Sequence, residues 1–259
     1  MRFSIITCTY NSAEYLQKNI DSVKNQTNQD FEHVFIDGFS TDETVEMIEK
    51  YRQKFPDKVK FFQFPPKGIS HAMNQGIEKS SGEYLMHLHS DDNFYDNNIL
   101  QDVKEFIEEK NNPDWIYGKI NVVEENDASI GTFPERKLLQ LGKNPFSSYL
   151  LKFFNFIPHQ AVFIKKKTIE KFGCFDESLK SSMDYDLWIK IRNKTNWAFL
   201  NKIISNYRIR PDAQSSSTIN KKENYENLKK VQSRYSNGPE ALFSNILNTI
   251  LNKINKTTR

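Results

Sequence analysis

Apolar runs and helically spaced apolar positions alternate along the first hundred residues. Four runs rich in β-branched and aromatic residues predict strands, at residues 3–8, 31–36, 59–64 and 84–88. Helical spacing predicts helices between them, over residues 16–23, 45–51 and 71–79. The second helix follows Ser40-Thr41-Asp42-Glu43, which is a capping-box pattern. Strands that alternate with helices indicate an α/β fold, with a mainly parallel sheet flanked by helices on both faces.

Beyond residue 113 the alternation is less regular. Strands are predicted over residues 115–123, 160–164 and 197–207, and helices over residues 165–172 and 184–192. Residues 125–145, which contain several Gly and Pro, are predicted to be irregular. The chain therefore divides into residues 1–112, residues 113–215 and a C-terminal helical tail, residues 216–259.

Composition and charge exclude several classes of protein. A chain of 259 residues can form one large α/β domain, and its net charge of +3 is too small to indicate nucleic-acid binding. Cys8 and Cys174 form neither a disulfide framework nor a zinc spacing, which is typical of a reducing compartment. We find no secretory signal and no stretch able to cross a bilayer. We therefore expect a cytoplasmic protein, soluble or peripheral on the inner face of the plasma membrane.

Polar clusters follow three of the predicted strands: Thr9-Tyr10-Asn11, Asp37 and Ser90-Asp91-Asp92. Ligands of such sheets bind beyond the carboxyl ends of the strands, so the clusters predict one binding site. Adjacent carboxylates suit Mg²⁺ or Mn²⁺ on a diphosphate, and Asp37 could accept from the N3–H of uracil. The structural alternatives are that Asp92 caps the next helix and that Asp37 belongs to a turn before Gly38.

Several different short motifs follow one another in a fixed order along the chain. They comprise residues 4–11, 37–42, 68–77 and 90–92, and they continue through His159-Gln160, residues 173–177 and residues 184–188. In order and spacing this set resembles the inverting family 2 glycosyltransferases, over about residues 3–210. The resemblance implies a Rossmann-like GT-A fold. In that fold residues 1–112 form the nucleotide-sugar-binding half, and residues 113–215 form the acceptor-binding and catalytic-base half of the same domain.

The resemblance also implies roles for single residues. The nucleotide-binding residues would be Thr9, Tyr10, Asn11, Asp37, Lys67, Asn74 and Asp91. Among these, Tyr10 would lie near the base, Lys67 would reach the diphosphate, and Asp91 would face the ribose or the donor sugar. Asp92 would ligate Mn²⁺ or Mg²⁺. His71 departs from the family, which usually has an acidic residue there.

Asp184 aligns with the catalytic base of the family, and its chemistry suits that role. Inversion in one displacement needs a carboxylate that takes the proton of the acceptor hydroxyl, opposite the nucleotide. The alternative is that Asp184 caps the helix that contains Leu187. His159 matches a family position near the acceptor cleft, or it is a structural histidine. His159 and Trp188 are our acceptor-site candidates.

Two apolar segments bear on membrane contact. Residues 146–157, crowded with Phe, Tyr and Leu, either form a core helix of the acceptor region or contact a bilayer or polyprenyl chain. The tail has an apolar helical face from Leu242 to Ile254 and a basic end. It docks on the protein, pairs with a second subunit as a homodimer, or binds an anionic membrane surface. Together the segments suggest a saccharide acceptor that is linked to a polyprenyl lipid.

Three functions compete. The first is a hexosyltransferase of surface polysaccharide or lipopolysaccharide synthesis, which would form a β-type linkage from an α-linked donor. Asp37 favours a uridine donor, although the same contact would accept deoxythymidine and similar proteins also use guanosine donors. A sugar nucleotidyltransferase would need a Gly-rich phosphate loop after the first strand, and residues 9–13 contain no glycine. A non-catalytic binding module would lack the base or the metal carboxylate, whereas Asp92 and Asp184 are both present. We therefore predict the hexosyltransferase.

Overall fold

The computed structural model describes residues 2–135, 139–140, 142–210 and 221–236. The strands in these residues are β1 (Phe3–Thr9), β2 (Phe31–Asp37), β3 (Val59–Gln63), β4 (Tyr84–His87), β5 (Asn93–Phe94), β6 (Trp115–Val123), β7 (Ser129–Phe133), β8 (Val162–Lys165) and β9 (Trp197–Arg208). The α-helices are α1 (Ala13–Lys24), α2 (Thr44–Lys54), α3 (Ile69–Lys79), α4 (Ile99–Glu109), α5 (Pro145–Leu150), α6 (Lys166–Phe172), α7 (Met183–Ile191) and α8 (Lys221–Tyr235). A short 3-10 helix spans His159–Ala161.

The described strands form one sheet in the order β3-β2-β1-β4-β8-β6-β9-β5, with β7 paired to β6. β3, β2, β1 and β4 are mutually parallel, because a helix connects each of these strands to the next in sequence. Thr9 and Asp37 lie side by side in the β1–β2 register. The loops that follow these two strands therefore leave the sheet at the same edge.

The second half of the sheet departs from the mainly parallel arrangement that we predicted. β8 is antiparallel to both β4 and β6, and β7 is antiparallel to β6, whereas β6 and β9 are parallel. The prediction of irregular structure over residues 125–145 is wrong where β7 forms. The first three residues of β7 are exposed, so the strand has no buried face that an apolar pattern could reveal.

Apolar side chains cover both faces of the sheet. Ile5 and Ile6 are neighbours in β1 but belong to different core clusters, because successive side chains of a strand point to opposite faces. In the cluster that contains Ile6, Trp115 stacks on Trp188 and Trp197, with ring centroids 5.4 and 4.8 Å apart. Most of α7 is buried. The packing therefore fixes the helix that carries Asp184.

The start of α2 differs from the predicted capping box. Its N-cap residue is Glu43, whose side chain makes no capping hydrogen bond, and the first N–H of the helix, that of Thr44, donates to Oδ1 of Asp42 at 3.0 Å. The hydroxyl of Ser40 donates to Oδ1 of Asp37 and accepts the N–H of Asn11. The capping-box prediction is wrong, because the loops after β1 and β2 use Ser40 instead.

The apolar segment 146–157 is divided between core and surface. Leu151, Phe153, Phe156 and Ile157 are buried but lie beyond α5, so they do not form the predicted core helix, whereas Phe146 and Tyr149 on α5 are 50% and 54% exposed. The apolar face from Leu242 to Ile254 lies outside the described residues. Within the part of the chain that the structure describes, no helix is both long and apolar enough to span a bilayer.

Candidate active site

A cavity of about 710 Å³ opens at the carboxyl edge of the parallel strands. Its wall comprises Cys8 at the end of β1, residues 67–70 at the start of α3, residues 89–92 after β4, His159-Gln160, residues 179–184 and residues from the end of β9. Asp92 and Asp184 both line this cavity, although 91 residues lie between them in sequence. The structure therefore brings the predicted metal ligand and the predicted base to one site.

The loops after β1 and β2 are joined by hydrogen bonds. Asn11 has a left-handed backbone (φ 48°); its N–H donates to Oγ of Ser40, and its side-chain oxygen accepts the N–H of Thr41, both at 2.9 Å. Tyr10 is 62% exposed and packs so closely on Gly38 that a Cβ there would lie 3.1 Å from its ring. The fixed loop thus presents an open aromatic face, two residues beyond Cys8, on which a base could stack.

Asp37 is buried, and its carboxylate accepts hydrogen bonds from the protein itself. Oδ1 accepts the hydroxyls of Thr9 at 2.9 Å and Ser40 at 2.5 Å. Oδ2 accepts the N–H of Ser40 at 2.9 Å and the amide of Gln63 at 3.1 Å. Asp37 therefore organises the turn, as the structural alternative predicts. A hydrogen bond from uracil would require a protein donor, such as the exposed Gln63, to move away.

Asp92 presents an unused oxygen to the cavity. The residue is 1% exposed, its Oδ1 accepts the backbone N–H of Arg208 at 3.1 Å, and its Oδ2 has no hydrogen-bond partner among the described residues. Burial raises the pKa of Asp92 well above its ordinary value, and the charge of Asp91 raises it further. Asp91 is paired with Arg210, with 3.1 Å between Oδ2 and Nε. Asp92 therefore has an oxygen available to a ligand, whereas Oδ2 of Asp91 is already paired with Arg210.

This pair fits a divalent cation that a diphosphate helps to hold. Mg²⁺ in nucleotide sites takes one or two protein carboxylates and completes its shell with phosphates and water. The unused Oδ2 of Asp92 could serve as such a ligand, and a cation would offset the buried charge. Within the described residues, no group of three His, Cys, Asp or Glu could hold a metal on its own. These residues therefore suit a divalent cation that is held jointly by the protein and the diphosphate of a substrate.

Two arginines at the end of β9 belong to the site, and we did not predict them from the sequence. Arg208 is buried and donates to the backbone oxygens of Asp91, Glu124 and Glu125 at 3.3, 3.1 and 2.8 Å, so it holds the acidic loop in place. Arg210 lines the cavity, and its guanidinium carbon lies 5.3 Å from the ring centre of Tyr15. The feature of the sequence that could have revealed them is this pair of arginines, one residue apart, directly after the strand predicted over residues 197–207.

Asp184 lies in the first turn of α7 and on the cavity wall. The N-cap residue is Ser182, in a left-handed conformation (φ 61°), so the alternative in which Asp184 caps the helix is not observed. Oδ2 of Asp184 accepts the amide of Asn155 at 3.2 Å. Burial raises the pKa of Asp184, and hydrogen bonds from the Tyr185 backbone and Asn155 oppose the rise only in part. A carboxylate whose pKa is raised in this way is a stronger proton acceptor.

His159 lines the cavity beside two further histidines. Its ring lies 5.5 Å from that of His87 and 5.6 Å from that of His89, and neither of its nitrogens has a hydrogen-bond partner in the described part of the chain. Burial, followed by the charges that His87 and His89 would carry, lowers the pKa of His159 well below its ordinary value. His159 therefore contributes a neutral imidazole, which can donate or accept a hydrogen bond.

Three other residues singled out in the sequence have structural partners. Asn74 donates to the backbone oxygen of Phe175 at 2.9 Å and accepts its N–H at 3.0 Å, so it ties α3 to the loop before α7. His71 contacts Glu177, with 3.1 Å between Nδ1 and Oε2. Trp188 is 1% exposed and stacks in the core. Neither Asn74 nor Trp188 lines the cavity.

Similar sequences are glycosyltransferases by name. The sequence profile described as Glycosyl transferase family 2 matches residues 4–172. The chain is 30% identical to a PGL/p-HBAD biosynthesis glycosyltransferase of Mycobacterium bovis (strain BCG / Pasteur 1173P2), over 73% of this chain and 68% of that protein. It is also 30% identical to an uncharacterized glycosyltransferase of Rickettsia felis over 84% of this chain, but it spans only 36% of that protein.

Solved structures share the fold. S. aureus TarS 1-349 in complex with UDP-GlcNAc superposes with a TM-score of 0.72 at 24% identity, over 89% of this chain and 65% of that one. The mannosyltransferase PcManGT from Pyrobaculum calidifontis, in complex with GDP-Man and Mn²⁺, gives a TM-score of 0.66 at 16% identity, over 95% of this chain and 68% of that one. These likenesses confirm the predicted GT-A type of α/β fold.

Proposed function

The chain belongs to glycosyl transferase family 2, and on that premise we propose that it transfers a hexose from a nucleoside-diphosphate sugar to an acceptor hydroxyl with inversion. Membership confirms the predicted class, a glycosyltransferase. The observation that carries the proposal is the shared cavity, in which Asp92 offers a desolvated oxygen and Asp184 a half-buried carboxylate with a raised pKa. A binding module would need neither group, and a nucleotidyltransferase would need a glycine-rich loop that residues 9–13 lack.

Asp184 acts as the general base in this proposal. Its carboxylate takes the proton of the acceptor hydroxyl while that oxygen bonds to the anomeric carbon. The bond from the anomeric carbon to the diphosphate breaks on the opposite face, and the nucleoside diphosphate leaves with the electron pair. Asn155, which donates to Oδ2 at 3.2 Å, orients the carboxylate. Because attack and departure lie on opposite faces, an α-linked donor gives a β-linked product.

The donor lies along the edge from Tyr10 to Asp92 in this proposal. Tyr10 stacks on the base, and Thr9 and Asn11 hold the loop that carries it. Lys67 and Arg210, both on the cavity wall, are cations placed to meet the two phosphates. Asp91 is held by Arg210 and faces the ribose or the donor sugar. TarS has been solved with UDP-GlcNAc, which supports UDP as the nucleotide.

Asp92 would hold the metal through Oδ2. A bound Mn²⁺ or Mg²⁺ supplies positive charge to the diphosphate as it departs. The protein's own contribution is a rigid ligand, because the N–H of Arg208 fixes the other oxygen of Asp92 at 3.1 Å. PcManGT was solved with Mn²⁺, which supports a divalent metal in this fold.

The acceptor approaches from the Asp184 side of the cavity, which His159 also lines. α5, which ends five residues before the Asn155 partner of Asp184, carries two exposed rings. Phe146 and Tyr149 are half exposed, and Lys152 lies 5.8 Å from the ring centre of Tyr149. Aromatic rings beside a lysine suit a saccharide whose lipid carrier stays at an anionic membrane surface. We therefore propose a lipid-linked saccharide acceptor of surface polysaccharide synthesis and a peripheral site of action.

A donor screen tests the proposal. Nucleotide sugars are compared by thermal shift with Mn²⁺ present, and the best donor is then used to measure release of the nucleoside diphosphate. We expect a UDP-sugar to raise Tm and to be hydrolysed slowly, because water replaces the missing acceptor. Asp92→Ala should lose the metal-dependent shift, and Asp184→Asn should keep it while losing turnover.

Glu170→Gln is the matched control for the base. Glu170 is an exposed carboxylate of α6 that faces Lys166 and does not line the cavity. If Asp184→Asn turns over like the wild type, the assignment of the base is wrong. If no nucleotide sugar shifts Tm in the presence of either metal, the proposed donor class is wrong.

A further inference from the structure

α8 bridges two parts of the chain that meet at Asp184. One part is the loop of residues 176–182 with the first turns of α7, which carries Asp184. The other is the segment around Asn155, whose amide donates to Asp184. Both parts are bonded to α8, which lies beyond residue 172, where the family match ends. α8 is therefore placed to set the geometry of the proposed base without touching the cavity.

Arg234 makes the central contact. Its Nη1 donates to Oδ1 of Asp186 at 2.8 Å, and its Nη2 donates to Oδ2 of Asp176 at 2.7 Å. Asp176 precedes residues 179–182, the loop that lines the cavity, and Asp186 lies two residues after Asp184. Burial alone would raise the pKa of Asp176, but hydrogen bonds from Ser178 and Arg234 lower it to about 2. One planar guanidinium therefore fastens both ends of the segment that presents the base.

The same helix holds the partner of the base. Gln232 is buried, and its amide donates at 2.9 Å to the backbone oxygen of Phe153, two residues before Asn155. Val231 is fully buried in the core cluster that contains Tyr185 and Leu187. One turn of α8 thus contacts both the residues next to Asp184 and the residues next to Asn155. A shift of α8 would change the Asn155–Asp184 hydrogen bond.

We propose that α8 is a positioning element for catalysis and that Arg234 is its positioning residue, acting on Asp184 through Asp186 and Asp176. The inference rests on the proposed function, because it takes Asp184 as the base. In this proposal transfer requires α8 but donor binding does not, since neither Arg234 nor Asp186 lines the cavity. Loss of the contact should therefore slow transfer and leave donor binding unchanged.

The test uses Arg234→Met in the full-length protein, with Lys229→Met as the matched control. Lys229 is on the same helix, and its charge pairs within that helix, with Glu226 at 3.4 Å. For Arg234→Met we expect kcat for donor turnover to fall about tenfold or more, as small misplacements of catalytic groups do. The Kd for UDP with Mn²⁺, measured by calorimetry, should stay within about twofold of the wild type.

Arg234→Lys provides the conservative variant, and it is the variant to use if Arg234→Met does not fold. A lysine can bond to one carboxylate but lacks the planar fork that joins two, so we expect partial recovery of kcat with an unchanged Kd. The proposal is overturned if kcat of Arg234→Met equals that of Lys229→Met, or if Kd and kcat of the arginine variants change together.

The two proposals fail separately. If Asp184→Asn is inactive and the arginine variants turn over normally, Asp184 remains the base and the role of α8 is refuted. If Asp184→Asn transfers sugar normally, the proposed function fails at the base, whatever the arginine variants do.

Discussion

Replacing Asp92 by Asn should stabilise the metal-free protein while abolishing metal-dependent donor binding. The carboxylate of Asp92 is 1% exposed and keeps one oxygen without a partner in the described residues. Asn has nearly the same shape, and its oxygen can still accept the N–H of Arg208. The substitution removes the buried charge, and it leaves a neutral amide that costs less to bury without a partner.

The magnitude follows from the cost of a buried, poorly compensated charge. Removing it should raise the free energy of unfolding by about 1–2 kcal/mol, and Tm by about 2–8 °C for a chain of this size. The folded pKa of Asp92 is raised above the ordinary value of 3.8. The charge penalty is therefore absent below that value and grows as the pH rises through the folded pKa. The gain from Asp92→Asn should be larger at pH 8 than at pH 5.

Differential scanning calorimetry with a chelator present measures this gain at the two pH values. Asp91→Asn is the matched control, because Asp91 is paired with Arg210. Its loss relieves the charge repulsion on Asp92 but leaves that arginine without this partner, so we expect a smaller gain from the control than from Asp92→Asn. With Mn²⁺ and UDP, Tm should rise for the wild type and stay constant for Asp92→Asn. An Asp92→Asn protein that is less stable than the wild type at pH 8 would refute the reasoning.

Three further predictions concern the base, the nucleotide and the sheet. The acidic limb of the pH profile of kcat should have its midpoint above 3.8, since burial raises the pKa of Asp184 and only the ionised form accepts a proton. Asn155→Ala should move that limb to higher pH, because the hydrogen bond from Asn155 lowers the pKa of Asp184. Tyr10→Ala should weaken UDP binding about tenfold through lost stacking, measured by calorimetry, whereas Tyr95→Ala, which removes another exposed ring, should not; equal effects would contradict the assignment. Gly82→Ala should lower the free energy of unfolding by about 1–3 kcal/mol, because its Cβ would lie 2.6 Å from the backbone nitrogen of Ser4, while Gly142→Ala, with its nearest contact at 3.5 Å, should cost less in the same denaturant titration.

The first half of the fold could be predicted because its signals are local. β1 to β4 are short apolar runs, and each is separated from the next by a helix with its own apolar spacing. The position of Asp92 beyond β4 followed from that alternation. The second half depends on contacts between distant segments. β8 reverses direction between β4 and β6, and no local pattern encodes that choice.

Side-chain partners within the site were harder to predict than the site itself. Asp37 was assigned to uracil by resemblance, yet four protein donors satisfy its carboxylate, and these come from three separate segments. Trp188 was a candidate for the acceptor site as part of the family-like motif at residues 184–188. A helix buried on most sides turns that side chain into the core instead. Such outcomes depend on tertiary packing, which residue spacing does not contain.

The stereochemistry of donor cleavage tests the central claim most directly. The nucleotide sugar selected by the thermal-shift screen is hydrolysed with Mn²⁺, and the anomer of the released sugar is recorded by proton NMR before mutarotation. A donor held on the Asp92 side, with water activated by Asp184 on the opposite face, predicts release of the β-anomer from an α-linked donor. Initial release of the α-anomer would contradict the proposed arrangement of the site.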